Sequence, residues 1–254
     1  GAGGTLASGT VARAAPDGYT MLLATGGHAV AGALFNKLPY DTLGSFQMVS
    51  TVTYFPFLIV VRADSPWKAL PDLLSAARQS TDGVLYGSAG VGTTHHLAGE
   101  LLARTAKLRL QHVPYRGDAA STVAVISGEV PFIIAPATAV EAHIRSGSLR
   151  ALAVTGPGRW LGMPEVPTVA EHGVAGYDVR SWAGWMLPKD APASVVRRLN
   201  EAARKALLSA DVRTRLRQMG GEAQASSPQE MTALVSTELQ KWKQLVNEVG
   251  IPKQ

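Results

Sequence analysis

The feature that most constrains this chain is the alternation, over most of its length, of short β-rich runs with short amphipathic helices. Such alternation produces mostly parallel sheets covered by helices, an α/β fold. Residues 20–24, 47–53, 57–61, 84–86, 110–113, 130–135, 151–155 and 181–187 read as strands. Between them, apolar positions at helical spacing predict helices over 71–79 (Leu73, Leu74, Ala77), 95–105 (Leu97, Leu101, Leu102) and 119–127 (Val123, Ile126). Ahead of the first strand, Ala15-Pro16-Asp17-Gly18 is a turn signal that joins it to an N-terminal helix.

After Leu187 the pattern changes to three consecutive helices. The first begins at Pro192 with Val195, Val196, Leu199, Ala203 and Leu207 in step, and the second starts near Ser209. In the third, Ser227-Pro228-Gln229-Glu230 forms a capping box with proline at the first helical position, followed by an apolar stripe from Met231 to Val249. No fixed-period repeat interrupts this order. The stretches 57–61 and 181–187 bracket a middle section that has its own full set of strands and helices, so they read as crossings between two lobes. Residues 1–60 with 183–254 are assigned to the first lobe and 61–182 to the second.

Composition narrows the classes. Hydrophobic residues make up 46% and charged residues 17%, far from the signature of disorder, and no apolar run approaches the ~18–20 residues needed to cross a bilayer. The formal charge of +5 is scattered, with no basic stripe interleaved with aromatics, which argues against nucleic acid. The absence of cysteine excludes structural zinc, disulfides and thiol catalysis, and is compatible with an oxidising compartment. The opening Gly1-Ala2-Gly3-Gly4 is of a kind found between elements, so upstream sequence, including a leader, is expected to be missing.

The most informative segment is Tyr86-Gly87-Ser88-Ala89-Gly90-Val91-Gly92-Thr93-Thr94-His95-His96, a glycine-rich turn that leaves a strand and opens a helix. Free amides in such a turn, with the helix dipole behind them, favour an anion, and Ser88, Thr93 and Thr94 add hydroxyls. The order of glycines matches neither nucleotide fingerprint. A plain turn with threonine capping explains the same residues about equally well. A second glycine-hydroxyl loop, Thr25-Gly26-Gly27-His28, also follows an apolar strand; read singly it is a turn with a solvated His28. In open α/β sheets ligands lie at the carboxyl ends of strands, where loops of this type meet.

Other candidates are weaker. His95 and His96 project about 100° apart on a helix and cannot share one metal, so no metal site is expected. Ser88 lacks a nucleophile elbow, and no acid declares itself as partner to either histidine. In Val113-Pro114-Tyr115-Arg116-Gly117-Asp118, Tyr115 is placed to line a cleft, Arg116 to pair a carboxylate or simply to be solvated, and Asp118 to cap the next helix. Trp182 and Trp185 either close over a ligand or pack the hinge or the core.

Pro16-Asp17-Gly18-Tyr19-Thr20, Leu38-Pro39-Tyr40-Asp41, Tyr86-Gly87-Ser88-Ala89-Gly90, His96-Leu97-Ala98-Gly99-Glu100-Leu101, Val113-Pro114-Tyr115-Arg116-Gly117, residues 147–155 and Val166-Pro167-Thr168-Val169-Ala170-Glu171 occur in order. Together, over essentially the whole chain, they resemble the Bug family, the extracytoplasmic solute receptors of tripartite tricarboxylate transporters. The resemblance implies a periplasmic binding protein of Venus flytrap type II fold, with two crossing strands as hinge. It implies no catalysis and no cofactor, and a monomer that delivers a small carboxylic acid to membrane permease subunits. Carried onto this sequence, the ligand-binding positions are Thr25, Gly26 and His28 in the first lobe and Ser88, Gly90, Gly92, Thr93, Thr94 and Tyr115 in the second.

Two departures from the family pattern stand out. Where amino-acid-binding members have an aspartate after a strand, this chain has Ala135, which points to a ligand without an α-amino group. The family's first strand and glycine loop would precede residue 1. Two other classes stay open: an α/β enzyme acting on an anionic substrate through Ser88 and His96, and a ligand-sensing module that docks to a signalling partner.

Overall fold

The computed structural model describes residues 4–254; Gly1, Ala2 and Gly3 of the opening glycine cluster lie outside the described residues. The chain divides into two compact units, residues 4–54 with 182–254 and residues 55–181. The first division falls between Tyr54 and Phe55 rather than after residue 60. It lies inside one unbroken strand, β2 (Phe46–Arg62), where the sequence reads as two strands. Proline cannot donate to a ladder, so Pro56 looks like a break in sequence, yet the strand runs through it.

The first unit holds α1 (Thr5–Ala12), β1 (Leu22–Thr25), α2 (Gly27–Leu34), the first part of β2, β7 (Arg180–Pro188), α7 (Ala193–Leu208), α8 (Ala210–Gln218), β8 (Glu222–Ala223) and α9 (Pro228–Val249). β1 runs antiparallel to β7, with Leu22 opposite Met186 and Thr25 opposite Ala183, and β8 pairs β2 at Thr53 and Tyr54. Apolar side chains of this sheet, among them Leu22, Met48, Trp182 and Met186, cluster with Met231 and Val235 of α9. The helix starts where the sequence predicts: Ser227 accepts from the Glu230 amide while the Glu230 carboxylate takes the Ser227 amide. Gly32 of α2 lets α9 approach, because a Cβ there would stand 2.2 Å from Thr42 Oγ1 and 2.9 Å from Leu239 Cδ1.

The second unit contains the rest of β2, α3 (Leu70–Gln79), β3 (Val84–Ser88), α4 (Thr94–Thr105), β4 (Leu110–Pro114), α5 (Asp118–Ser127), β5 (Phe132–Pro136), α6 (Ala137–Arg145) and β6 (Leu149–Val154), then a single 3-10 turn over Ala170–His172. Its strand order is β4-β3-β5-β2, with β6 on β2. β4, β3 and β5 are mutually parallel, whereas β2 is antiparallel to both β5 and β6. The core gathers Leu58, Val60, Ile133, Ala135, Val140 and Val154 with Trp160 and Met163.

Two helices, α2 and α6, are absent from the sequence reading. Neither start carries a capping side chain, and α2 reads Gly-His-Ala-Val-Ala-Gly-Ala-Leu, whose two glycines and lack of a polar face hide its period. In α5 the buried positions are Ser121, Thr122, Ala124 and Val125, while Val123 is 65% exposed, so the predicted apolar face is displaced by one residue. No helix among the described residues is long and apolar enough to cross a membrane.

Candidate functional site

Three parallel strands in the second unit end side by side, and each feeds a helix. β3 leads into α4, β4 into α5 and β5 into α6, so three helix N-termini start from one edge of the sheet. The first-turn amides of a helix have no i−4 carbonyl, and aligned peptide dipoles add partial positive charge there. Ser88, Gly90, Gly92, Thr93, Tyr115 and Ala135 lie on these strand ends or the loops that follow them, and Thr94 is the first residue of α4. The ladder places Ser88 beside Pro114, and the Tyr115 amide donates to the Ser88 carbonyl at 3.0 Å, so the loops after β3 and β4 are stitched together. Gly90 and Gly92 sit at φ +124° and +76°, conformations that a side chain would strain.

Within this loop the polar groups are already committed to one another. The buried Ser88 hydroxyl accepts the Gly90 N–H at 3.0 Å and lies 2.5 Å from His112 Nε2. Thr93 caps α4: its hydroxyl donates to the Gly90 carbonyl at 2.7 Å and accepts from the His96 amide at 3.4 Å. The Gly90 amide is therefore spent on the turn, and the α4 amides without a helical partner are those of Thr94 and His95. Tyr115 donates its hydroxyl to Glu129 at 2.9 Å, and burial with that carboxylate pushes the phenol up to about 12.

The neighbouring histidines part ways. His95 Nε2 approaches Asp118 Oδ1 at 2.9 Å and its ring meets Phe57 edge-on at 4.7 Å. His96 stacks on His112, centroids 4.1 Å apart, with Nε2 3.9 Å from Glu100 Oε1. Burial lowers His96 to about 4 and, together with the charge of His96, lowers His112 to about 3. A Ser88–His96 catalytic pair is not formed, since the serine hydroxyl meets His112 instead. Asp118 is corrected as well: the residue capping α5 is Gly117, with no side-chain bond, and Asp118 sits in the first turn.

In the first unit, Thr25 ends β1 exposed, and Gly26 caps α2 while donating its amide to the Trp182 carbonyl at 3.2 Å. His28 is corrected from a solvated residue to a buried one. Its Nδ1 pairs with Ser8 Oγ at 3.1 Å and its Nε2 with the Thr42 carbonyl at 2.9 Å, while the ring stacks on Tyr40. Both ring nitrogens are thus used inside the unit, and what the loop keeps for a ligand is the first-turn amides of Gly27 and His28. Trp182 packs in the core, and Trp185 lies partly buried beside Leu187 and Val196. Ala135 is fully buried, its methyl group among Leu58 and Ile133. Thr138, exposed in the first turn of α6, escapes sequence reasoning because that helix does; a proline followed by a run of Ala and Thr was its one signal.

Residues 1–251 match the family described as tripartite tricarboxylate transporter family receptor. The chain belongs to that family. A relative from Pseudomonas sp. strain P51, named for its place in the tcbD-tcbE intergenic region, is 37% identical over 249 residues, covering 98% of this chain and 74% of that protein. The R. palustris protein Rpa4515, solved with adipate, superposes with a TM-score of 0.93 at 32% identity, covering 99% of this chain and 85% of the other. MatC from Rhodopseudomonas palustris, solved with bound malate, gives 0.87 at 34% identity over 97% of this chain and 85% of the other. The receptor family and its two-lobed α/β fold are those the sequence motifs pointed to.

Proposed function

We propose that this receptor is periplasmic and binds a small organic dicarboxylate without an α-amino group, which it hands as a monomer to permease subunits of its transporter without chemical turnover. The observation that carries the reading is the convergence of three helix N-termini on one strand edge, with glycines holding the intervening loop in conformations other residues avoid. Amides and hydroxyls dominate this edge. Such donors suit a carboxylate, and the single acid among the three first turns, Asp118, is turned toward His95. Ala135 supports the same choice, since the position that would carry an aspartate carries a buried methyl group. That two similar structures hold adipate and malate makes dicarboxylates the first class to test.

On this reading Thr94, Gly92 and the first-turn amides of α4 hold one carboxylate. Tyr115 flanks them, and Ser88, Gly90 and Thr93 shape the turn. In the first unit, Thr25 and the first-turn amides of Gly27 and His28 are proposed to offer donors of the same kind. The test is calorimetry with adipate, malate, citrate, acetate, aspartate and glutamate. Saturable binding of at least one of the four acids without an amino group, with none for aspartate or glutamate and loss in Thr94→Val or Thr25→Val, is the expected result. Preference for an amino acid, or no heat and no melting shift from any acid, overturns it.

A further inference from the structure

The polar groups behind the binding loop form a continuous relay that the receptor reading does not by itself require. His112 projects from β4 on the same face of the sheet as Tyr86 and Ser88, because ladder partners and alternate residues share a face. Its Nε2 meets the Ser88 hydroxyl; that hydroxyl holds the Gly90 amide; the Gly90 carbonyl receives the Thr93 hydroxyl; and Thr93 caps α4 through the His96 amide. The chain of contacts returns to its start, since the His96 ring lies against His112. Below the stack, the Tyr86 hydroxyl sits within hydrogen-bond distance of the His96 carbonyl at 3.0 Å and of Glu100 Oε1 at 2.8 Å. The titratable groups around His112 are thus Tyr86 from β3 and His96 and Glu100 from α4.

We propose that His112 is a positioning residue for ligand binding: by clamping the Ser88 hydroxyl it sets the Ser88–Gly90 turn and, through Thr93, the first turn of α4 whose amides receive the carboxylate. This rests on the proposed receptor function but makes its own claim about the free protein. In the relay Ser88 acts as a pin, with its hydroxyl consumed on both sides. A neutral ring fits the task in the tautomer whose Nε2 takes the serine proton while Gly90 donates to the serine oxygen; the Gly90 carbonyl, 3.3 Å from the hydroxyl, is its other acceptor. A ring of this size between Tyr86 and His96 also fixes the spacing of α4 from the sheet, which links loop shape to helix placement.

The experiment uses the full chain with His112→Ala, His112→Gln and Ser88→Ala, read by amide hydrogen exchange of Gly90 and by calorimetry with adipate and malate. Loss of the clamp is expected to speed Gly90 exchange and weaken acid binding in His112→Ala by roughly tenfold, about the effect of one hydrogen bond. Ser88→Ala is expected to behave likewise. His112→Gln, whose amide can reach the same hydroxyl, is expected to restore both to within about threefold of wild type. A purely space-filling role predicts no rescue of Gly90 protection by glutamine. Unchanged Gly90 exchange in His112→Ala, with the circular dichroism of the folded protein, overturns the proposal. If His112→Ala fails to fold, Ser88→Ala and His112→Gln decide it. A wild type that binds neither acid counts against the dicarboxylate reading alone, since Gly90 exchange still reports the clamp.

Discussion

His95 Nε2 and Asp118 Oδ1 lie 2.9 Å apart, tying the first turn of α4 to the first turn of α5. The pair brings two of the three converging helix starts together while placing a negative charge beside the first-turn amides proposed to receive a carboxylate. Asp118→Asn should therefore have opposite effects on two measurements. Stability to urea falls by no more than about 1 kcal/mol, as for a partly exposed contact without hydrogen-bond geometry. Affinity for a carboxylate rises, because a like charge has been removed from the edge. Denaturation and calorimetry on the same preparation check both, and a variant that loses affinity shows that Asp118 serves the ligand directly.

Gly99 sits in α4 against the ring of Tyr86, where a Cβ would stand 2.2 Å from Cε2 and 2.3 Å from Cζ. Both sides of that contact are immobile: Tyr86 is fully buried and its hydroxyl is bonded to α4. Gly99→Ala must push the helix from the sheet or the ring from its stack, at a cost of about 1–3 kcal/mol by the measure of overpacked cores. The gain in helix propensity of about 1 kcal/mol offsets only part of this. A lower urea midpoint with unchanged slope is the expected outcome, and a stabilised variant would show that α4 has room to move.

Stability should also weaken in mild acid. His96 and His112 are held neutral by burial to about 4 and about 3, whereas in the unfolded chain each titrates near 6.5. Below about 6.5 the unfolded state takes up protons that the folded state refuses, so the contribution is whole above that pH and is lost progressively toward 4. His28, lowered by burial in the first unit, has the same sign. Glu100, which burial raises, takes its proton more readily when folded and works against the loss near its own range. The urea midpoint is expected to drop between pH 7 and pH 4.5, with a shallower drop in His96→Asn. Equal midpoints at the two values would contradict the burial of the pair.

What the sequence discloses and what it hides follow from where the determinants lie. α9 is legible because cap, charge and apolar stripe are all local to it, from Ser227 to Val249. β3 with its glycine turn is legible for the same reason. The partner of Ser88 is not, because His112 lies 24 positions away and is brought near only by the parallel register of β3 on β4. His28 looks like a loop residue, but it lies in the first turn of α2 and is buried against Ser8, Tyr40 and Thr42, and the continuity of β2 through Pro56 depends on strands drawn from distant parts of the chain. Local chemistry marks the candidate edge; long-range pairing decides which hydroxyls and rings on it are already engaged.

Thr155 is the residue whose importance least resembles its sequence. It follows β6 in a Val-Thr-Gly-Pro stretch of ordinary turn composition, yet it is fully buried with its hydroxyl between two backbone segments. Its oxygen accepts the Phe57 amide at 3.1 Å and its proton faces the Val179 carbonyl at 2.6 Å and the Phe57 carbonyl at 3.0 Å. Its own amide donates to Phe57 and its carbonyl accepts from Val179, so one residue fastens β2 to the segment entering β7. Thr155→Val keeps the shape and strands a buried N–H and a buried carbonyl, which costs about 1–3 kcal/mol. Thr155→Ser keeps the hydroxyl and loses only a methyl group, so it should retain most of that stability. The order wild type, serine, valine in urea midpoint is the expected result, and valine equal to wild type would show that these backbone groups find other partners.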